Sequence, residues 1–389
     1  MRRRILSAVC FVLLVGFAAS GQAFAQFTTK APYAILMDAE TGAILFEKDA
    51  DQQMVPASMS KLMTLAVLFR QLKDKRLTLD SEFIVSVNAW RKGGAPSGTA
   101  AMFAPVNTPI KLADLLQGII VQSGNDACII VAEGIAGTEQ GFAQIMNDYA
   151  RKIGMTRSNF VNATGLPEPG HLTTVRDLAI LARHLIYEYP EYYDYFKQRE
   201  FKYRKHNFFN RNPLVYLNIG ADGLKTGHTQ ESGYGIVASA TNGERRLILV
   251  INGLADANER KEEAVKLINW GFNSFRQVSL FEKDEIVGDA RVWGGEKRYV
   301  NLKSEGPLRV FLPIVMRDRK IKAEIVYQWP LKPPIKAGDR VAELVVTAEN
   351  GVSNRVPLYA AEDVGKGGII TRGVDSILIL AFGWLVNAT

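Results

Sequence analysis

Two residues with complementary chemistry stand close together early in the chain. Ser58 offers a hydroxyl and Lys61, three residues later, offers an amine. Serine at its free pKa is a poor nucleophile and needs a base within hydrogen-bond reach. On a helix, a side chain three positions along lies over the same face and can reach the hydroxyl. The pair therefore predicts a serine nucleophile with a lysine that activates it.

Two further short motifs complete this chemistry. Ser123-Gly124-Asn125 adds a second hydroxyl and an amide, and Lys225-Thr226-Gly227 adds a cation beside a hydroxyl. Each motif alone arises easily by chance. Their order is informative, because one opens a helix, one follows a long helical stretch, and one enters a glycine-bounded strand. Together they supply what acyl transfer through a serine ester requires.

The sequence around Ser58 favours a catalytic serine over a serine that only caps a helix. Residues 61–68 form an apolar run that predicts a buried helix. Ser58 then lies in or just before the first turn, where free N–H groups and the positive end of the helix dipole favour an oxyanion. An isolated Ser-x-x-Lys is more often a helix cap followed by a solvated lysine. The two partner motifs reverse that judgement.

Longer stretches carry a family resemblance over nearly the whole chain. They are residues 33–42 (YAILMDAETG), 56–61 (PASMSK), 123–127 (SGNDA) and 222–229 (DGLKTGHT). The chain resembles the low-molecular-mass penicillin-binding proteins of the D-alanyl-D-alanine carboxypeptidase group. The resemblance implies an enzyme that removes the terminal D-alanine from peptidoglycan stem pentapeptides through an acyl-enzyme on Ser58. It also implies acylation and inhibition by β-lactam antibiotics.

The resemblance assigns roles to the first two motifs. Lys61 is the base, provided that burial and the charge of Lys225 lower its pKa toward neutrality. Ser123 returns the proton to the leaving amine. Asn125 holds Lys61 and binds the substrate amide. Which group accepts the first proton differs among accounts of related enzymes, and the sequence leaves that point open.

The third motif is expected to bind substrate. Lys225 places positive charge near the nucleophile, Thr226 binds the terminal carboxylate, and Gly227 lets the substrate backbone approach the strand. His228 is expected to be a cleft residue and not a proton carrier. By analogy with the family, the backbone N–H groups of Ser58 and His228 form the oxyanion hole.

Residues outside the motifs complete the expected site. Arg211 and Arg260 are candidate clamps for the substrate carboxylate. The segment 160–174 corresponds to the loop that borders the site in the family. No cofactor is expected, since four scattered histidines and no Cys/His cluster argue against a metal site.

Three other functions compete with the carboxypeptidase. A D,D-endopeptidase that cuts cross-links would use the same motifs. A β-lactamase usually needs a carboxylate-bearing loop of the E-x-x-L-N type, which residues 162–166 lack, and Glu168 stands out of register between two prolines. A non-catalytic cell-wall scaffold is disfavoured by the intact motifs.

The order of local patterns predicts two domains between two terminal segments. Residues 1–25 resemble a signal peptide, with Arg2 to Arg4 before an apolar core and an A-x-A site. Residues 26–275 are the predicted peptidase domain, of the transpeptidase/β-lactamase-like fold: an antiparallel sheet plus a helical subdomain. Residues 276–368 alternate short β-type runs with turns and predict a small β-sandwich.

The C-terminal segment, residues 369–389, is predicted to be an amphipathic membrane-anchor helix. Its uninterrupted apolar run, 377–386, is too short to span a bilayer, and Trp384 suits the headgroup region. A terminal helix packed on the protein is the alternative. With the signal peptide, this tail predicts a peripheral protein on the periplasmic side of the inner membrane.

Composition excludes some partners and adds little else. The net charge is +7, from 47 basic and 40 acidic residues, and three of the basic residues lie in the first four. This balance is too mild for a nucleic-acid partner, and no basic patch interleaved with aromatic residues appears. Cys128 lies in an apolar run and is predicted to be a small buried side chain without a disulfide.

Overall fold

The structure is a computed structural model that describes residues 27–314, 321–348 and 353–386. The predicted signal peptide lies outside these residues. The helices are α1 Lys61–Lys73, α2 Val87–Gly93, α3 Leu112–Gln117, α4 Asn125–Ala136, α5 Glu139–Lys152, α6 Val175–Glu188, α7 Pro190–Tyr193, α8 Ala257–Asn273 and α9 Ile369–Val386. The strands are β1 Tyr33–Asp38, β2 Ile44–Lys48, β3 Glu82–Ile84, β4 Pro109–Lys111, β5 Glu200–Tyr203, β6 His206–Phe209, β7 Ala221–Thr229, β8 Gly233–Thr241, β9 Arg246–Leu254, β10 Phe275–Phe281, β11 Ile286–Arg291, β12 Tyr299–Lys303, β13 Leu308–Pro313, β14 Ile321–Tyr327, β15 Arg340–Ala348 and β16 Ser353–Ala360.

An antiparallel sheet with strand order β2-β1-β9-β8-β7 forms the centre of the first domain. Successive residues of its strands enter different cores, as the period of two requires. Ile248 and Val250 of β9 pack with α1, α4, α5 and α6 on one face. Leu247, Leu249 and Ile251 pack with α8 on the other. Because helices cover both faces, β9 is apolar from residue 247 to residue 251.

The helix that begins at Leu112 is interrupted before Ser123. α3 ends at Gln117, and a π-helical turn, Gly118–Gln122, follows it. A side chain at Gly118 would come within 2.7 Å of the Met102 sulfur, so the wider turn passes close to a neighbouring loop. The π-turn ends at Ser123, which has a left-handed backbone with φ 63°. This geometry places the second motif at the end of α3 and the start of α4.

Two helices of the first domain begin at side-chain caps. The β-type run at residues 83–87 ends as a strand at Ile84, and the side chain of Ser86 caps α2 by accepting from Ala89 N. Thr174 caps α6 as its sequence indicates. The carboxylate of Asp177 does not reach back to close a capping box. It accepts from Arg157 N and Ser158 Oγ instead, and so anchors the beginning of the loop that leads into α6.

Residues after α8 form a separate β domain. The strands β14-β15-β16-β12-β11 pair in that order, and β10 pairs with β13. Their inward side chains make a core of their own that includes Val300, Val310 and Leu344. A single bridge between Ser353 and Ile44 joins this domain's sheet to the first one.

The last element of the described residues is α9, several of whose described apolar side chains are exposed. Ile369 is 87% exposed and Leu380 is 84% exposed. The helix touches the β domain near its start, where Asp375 Oδ2 accepts from Gly294 N at 2.7 Å. Among the described residues, no helix combines the length and the apolar character needed to cross a membrane.

Candidate active site

Ser58 lies in a tight turn that leads directly into α1. Residues Ala57–Ser60 form one turn of 3-10 helix, here called the nucleophile turn. Ala57 has a φ of 48°, a left-handed backbone that is unusual for a residue with a side chain. Such geometry persists only where the surroundings enforce it. Ser58 itself is partly exposed, so its hydroxyl is accessible.

Two glycines pack closely against the nucleophile turn, one from β7 and one from the loop between α5 and α6. A Cβ on Gly227 of β7 would lie 3.0 Å from Pro56 O and 3.2 Å from Ala57 Cβ. A Cβ on Gly165 would lie 1.9 Å from Ala57 O. Because Gly227 has no side chain, the nucleophile turn can pack directly against β7. The sequence did not indicate this contact.

Lys61 occupies the centre of the site and is fully buried. Its Nζ donates to Ser58 Oγ at 2.9 Å, to Asn125 Oδ1 at 2.7 Å and to the Thr164 carbonyl at 2.5 Å. No carboxylate is among these acceptors. Burial lowers the pKa of the Lys61 amine to about 8, and the positive charge of Arg211 acts in the same direction. A lysine in this state can accept a proton near neutral pH.

The second motif meets Lys61 from the start of α4. Asn125 is buried, donates through Nδ2 to Thr99 Oγ1 at 2.9 Å and accepts from Lys61 on its other atom. Ser123 is also buried. Within the described residues its hydroxyl makes no hydrogen bond to Lys61 or Ser58.

The third motif lies on β7, the outermost strand of the first sheet, which packs against the nucleophile turn. Lys225 is buried, and its Nζ donates to the Thr226 carbonyl at 3.2 Å. Burial lowers the pKa of Lys225 well below its ordinary value, and the charges of Lys61 and Arg211 add to this effect. Thr226 is buried, whereas His228 is exposed and stacks on Tyr234 with ring centroids 3.8 Å apart.

The two candidate arginines differ in their surroundings. Arg260, on α8, is buried with its guanidinium carbon 5.6 Å from the centre of the Tyr234 ring. In the described part of the chain its Nε has no hydrogen-bond partner. Arg211 reaches the surface and acts on Lys61 and Lys225 through its charge alone. Neither arginine pairs with a carboxylate within the described residues.

Comparison with known proteins assigns this arrangement to a family. Residues 20–255 match the family described as D-alanyl-D-alanine carboxypeptidase. Residues 275–366 match the C-terminal domain of penicillin-binding protein 5. The chain belongs to the D-alanyl-D-alanine carboxypeptidase family. The curated relatives include DacC of Escherichia coli, 37% identical over 353 residues, which cover 90% of this chain and 88% of that protein.

Solved structures agree with this assignment. Penicillin-binding protein 5 from Haemophilus influenzae superposes with a TM-score of 0.73 at 32% identity, covering 87% of this chain and 99% of that one. DacD from Francisella tularensis gives a TM-score of 0.69 at 28% identity, covering 88% and 95%. The expected fold class and the expected enzyme class are confirmed, and the main function is favoured over the three alternatives.

The carboxypeptidase loop between α5 and α6 contributes contacts that the sequence analysis missed. Asn162 Oδ1 accepts from Thr164 N at 3.1 Å and from Gly165 N at 2.8 Å, which fixes the loop in a tight turn. That turn directs the Thr164 carbonyl toward Lys61. The Asn-x-Thr-Gly pattern signals the turn in the sequence, but nothing there signals which distant side chain the carbonyl meets.

Other groups near the carboxypeptidase site are accounted for by packing. The Glu168 carboxylate accepts from Asn162 Nδ2 at 3.1 Å. Cys128 is a buried free thiol, and burial raises its pKa to about 12, so it stays protonated. Across the described residues, no group of three or more His, Cys, Asp or Glu side chains is arranged to hold a metal ion.

Proposed function

We propose that Ser58 attacks the carbonyl between the two D-alanines of a peptidoglycan stem pentapeptide. The terminal D-alanine leaves, and water then hydrolyses the ester on Ser58. One observation carries the assignment: the Lys61 amine lies 2.9 Å from Ser58 Oγ and has a pKa of about 8. At neutral pH a useful fraction of this amine is unprotonated and can accept the hydroxyl proton.

The proton balance needs two further groups. Neutral Lys61 takes the proton from Ser58 as the bond to the substrate carbon forms. Ser123 passes its own proton to the nitrogen of the departing D-alanine as the peptide bond breaks. Protonated Lys61 then returns a proton to Ser123, so that Lys61 is neutral again before deacylation. In deacylation Lys61 activates the water and the proton returns to Ser58. The contact between Lys61 and Asn125, 2.7 Å long, supports this scheme because it holds the amine beside the Ser58 hydroxyl.

Substrate recognition is assigned to the outer edge of β7. A peptide lying along Lys225, Thr226 and Gly227 can pair with that edge as an added strand. Thr226 binds its terminal carboxylate, and the buried charge of Lys225 stabilises the anion that forms on the carbonyl. The backbone N–H groups of Ser58 and His228 are the proposed oxyanion hole.

A second cation for the carboxylate comes from Arg260 or Arg211. Arg260 is supported by its Nε, which is buried without a partner among the described residues. β-Lactams are strained amides of similar shape, and we propose that they acylate Ser58 by the same attack.

The decisive experiment measures free D-alanine released from a pentapeptide that ends in D-Ala-D-Ala. Wild-type protein should release it, and a folded Ser58→Ala variant should not. The same pair should differ in covalent labelling by a fluorescent penicillin. A cross-linked dimer, assayed in parallel, reports endopeptidase activity. Labelling of the Ser58→Ala variant at another residue would overturn the assignment.

We also propose that α9 attaches the enzyme to a membrane surface. Its exposed apolar side chains, such as Ile369 and Leu380, support a helix that lies in the membrane interface. With residues 1–25 acting as a cleaved signal peptide, the enzyme would be peripheral on the periplasmic side of the inner membrane. The proposed domains are 26–275 for catalysis, 276–368 as the β-sandwich and 369–389 as the anchor.

A further inference from the structure

A buried histidine connects the loop that carries Thr164 with the nucleophile turn. His171 is only 1% exposed. Its Nε2 lies 2.7 Å from Ser60 Oγ, in the nucleophile turn. Its Nδ1 lies 3.1 Å from Val161 N and 3.4 Å from Asn162 N, at the beginning of the loop. One ring thus bridges two segments that the chain itself separates by more than a hundred residues.

These partners determine where the ring proton resides. Two backbone N–H donors converge on Nδ1, so Nδ1 must be an acceptor. The single hydrogen of the neutral ring is then on Nε2, and it is donated to Ser60 Oγ. A neutral histidine with this tautomer satisfies every contact, whereas a protonated ring would direct an N–H at two other N–H groups.

The two segments that His171 joins are the two sides of the Lys61 environment. Ser60 directly precedes Lys61. Asn162 makes the turn that directs the Thr164 carbonyl to the Lys61 amine at 2.5 Å. Loss of the ring's hydrogen bonds would release both sides at once, and the amine would lose its alignment with the Ser58 hydroxyl.

We propose that His171 is a positioning residue, which in its neutral form keeps Lys61 aligned with Ser58, and that protonation of its ring stops acylation. This role rests on the proposed function of Ser58 and Lys61. It goes beyond that function because it gives the reaction a second acid limit, at lower pH than the one set by protonation of Lys61.

Burial and the charges around the ring determine the pH at which His171 becomes protonated. Lys61, on α1, is the charged group that acts on the ring through space, and it disfavours a second positive charge. Within the loop, the Glu168 carboxylate is directed at Asn162. The nearest aromatic ring is Phe160, at 5.8 Å between centroids. Burial is the largest effect and lowers the pKa of His171 to about 4. The ring is therefore neutral at pH 7 and gains its proton only as the pH falls through about 4.

Two substitutions separate hydrogen bonding from titration. Glutamine keeps an acceptor oxygen for the two N–H groups and a donor for Ser60, but it does not titrate. Leucine has a similar size and offers neither. The second-order rate constant for acylation by a fluorescent penicillin is measured between about pH 3.5 and 8 for wild type, His171→Gln and His171→Leu. His184→Gln is the matched control: this half-buried histidine of α6 has its Nε2 2.8 Å from the Tyr149 hydroxyl and is not part of the Lys61 environment. Circular dichroism checks folding at each pH.

We expect His171→Leu to acylate at least about tenfold more slowly than wild type at pH 7, and His171→Gln to recover most of the rate. The ratio of the His171→Gln rate to the wild-type rate should rise as the pH falls through about 4, because only the wild-type ring gains a proton. The His184→Gln variant should follow wild type at every pH. If the leucine variant does not fold, Ser60→Ala, which removes the acceptor alone, should slow acylation in its place.

The possible failures are distinct. Equal rates for the leucine and glutamine variants at pH 7, or no effect of Ser60→Ala where that variant replaces leucine, would show that the ring positions nothing. A glutamine variant whose rate falls in parallel with wild type below pH 5 would show that the ring sets no acid limit. A wild-type protein that neither acylates nor releases D-alanine would overturn the proposed function itself.

Discussion

At the scale of residues, the site depends on two lysines whose charged forms are disfavoured by burial. Lys61 and Lys225 are both fully or almost fully buried, and each loses the solvent that stabilises an ammonium. The amine at Lys61 is consequently poised near neutral pH. In the part of the chain that the structure describes, the Lys225 amine hydrogen-bonds to the Thr226 carbonyl and to no other group. We assign proton transfer to Lys61 and electrostatic stabilisation to Lys225.

The pH dependence of acylation tests the state of Lys61. Because the pKa of Lys61 is lowered to about 8, the neutral amine becomes more abundant as the pH rises through that value. The acylation rate constant should therefore rise from about pH 6 and level off near pH 9. Fluorescent penicillin labelling across this range measures it. A rate that is flat over the same range would contradict the assignment of Lys61 as the base.

Charge-preserving substitutions should separate the two lysines. Lys61→Arg should reduce acylation to background, because a guanidinium does not lose its proton in a protein. Lys225→Arg keeps a positive charge beside the nucleophile and should retain part of the activity. Labelling and D-alanine release are measured on both variants after their folding is checked. An equal loss of acylation in the two variants would contradict the assignment of Lys61 as the base and Lys225 as the electrostatic group.

At the scale of elements, the nucleophile turn is held between β7 and the loop that carries Gly165. Both neighbours approach it through glycines, and a Cβ at either position would collide with the backbone of residues 56 and 57. The left-handed conformation of Ala57 is thus imposed by packing. The position of the Ser58 hydroxyl therefore depends on how closely β7 packs against the nucleophile turn.

A methyl group on Gly227 should displace the nucleophile turn. Gly227→Ala adds a Cβ about 3.0 Å from Pro56 O, which is tighter than ordinary contacts allow. We expect the free energy of unfolding to fall by about 1–3 kcal/mol, as for other overpacked sites, and acylation to fall more than stability alone explains. Denaturant titration and penicillin labelling measure the two effects.

Gly306→Ala is the matched control for this change. Its Cβ would meet nothing within 4 Å, so both quantities should stay at wild-type values. If Gly227→Ala acylates as fast as Gly306→Ala, close packing of β7 on the nucleophile turn does not position Ser58.

Some secondary-structure elements could be predicted from the sequence alone and others could not. The apolar run at residues 61–68 located α1, because a continuous apolar run of that length is typical of a buried helix. The π-helical turn before Ser123 was not predictable, since it depends on Gly118 passing against Met102. The Thr164 carbonyl was missed for a related reason: a backbone acceptor carries no side-chain signature.

At the scale of the whole molecule, catalysis and membrane attachment are assigned to opposite ends of the chain. The three motifs all lie in the first domain. The β domain has its own core, so its stability does not require the site. Exposed apolar residues on α9, such as Ile369 and Leu380, support the proposed membrane anchor over the alternative of a helix packed on the protein.

Removal of α9 should separate these two properties. A shortened protein that ends at Gly368 should stay in the soluble fraction and still release D-alanine from a free pentapeptide. Full-length protein should sediment with membranes, resist a high-salt wash and dissolve in detergent, because few cations lie near the helix and apolar burial dominates. Fractionation followed by penicillin labelling measures both. If both proteins remain soluble, the membrane assignment fails and the catalytic one stands.

The distances along the chain between the parts of the site have a kinetic consequence. Lys61 meets Asn125 across 64 residues and the Thr164 carbonyl across 103, and β7 must then pack onto the nucleophile turn from still farther along. Closing such loops is slow compared with forming a helix. During refolding, α1 would form early without a competent Ser58. A pulse of penicillin given at successive times would therefore label only chains that have completed the long-range contacts. The labelled fraction would then measure the rate of the last step of folding.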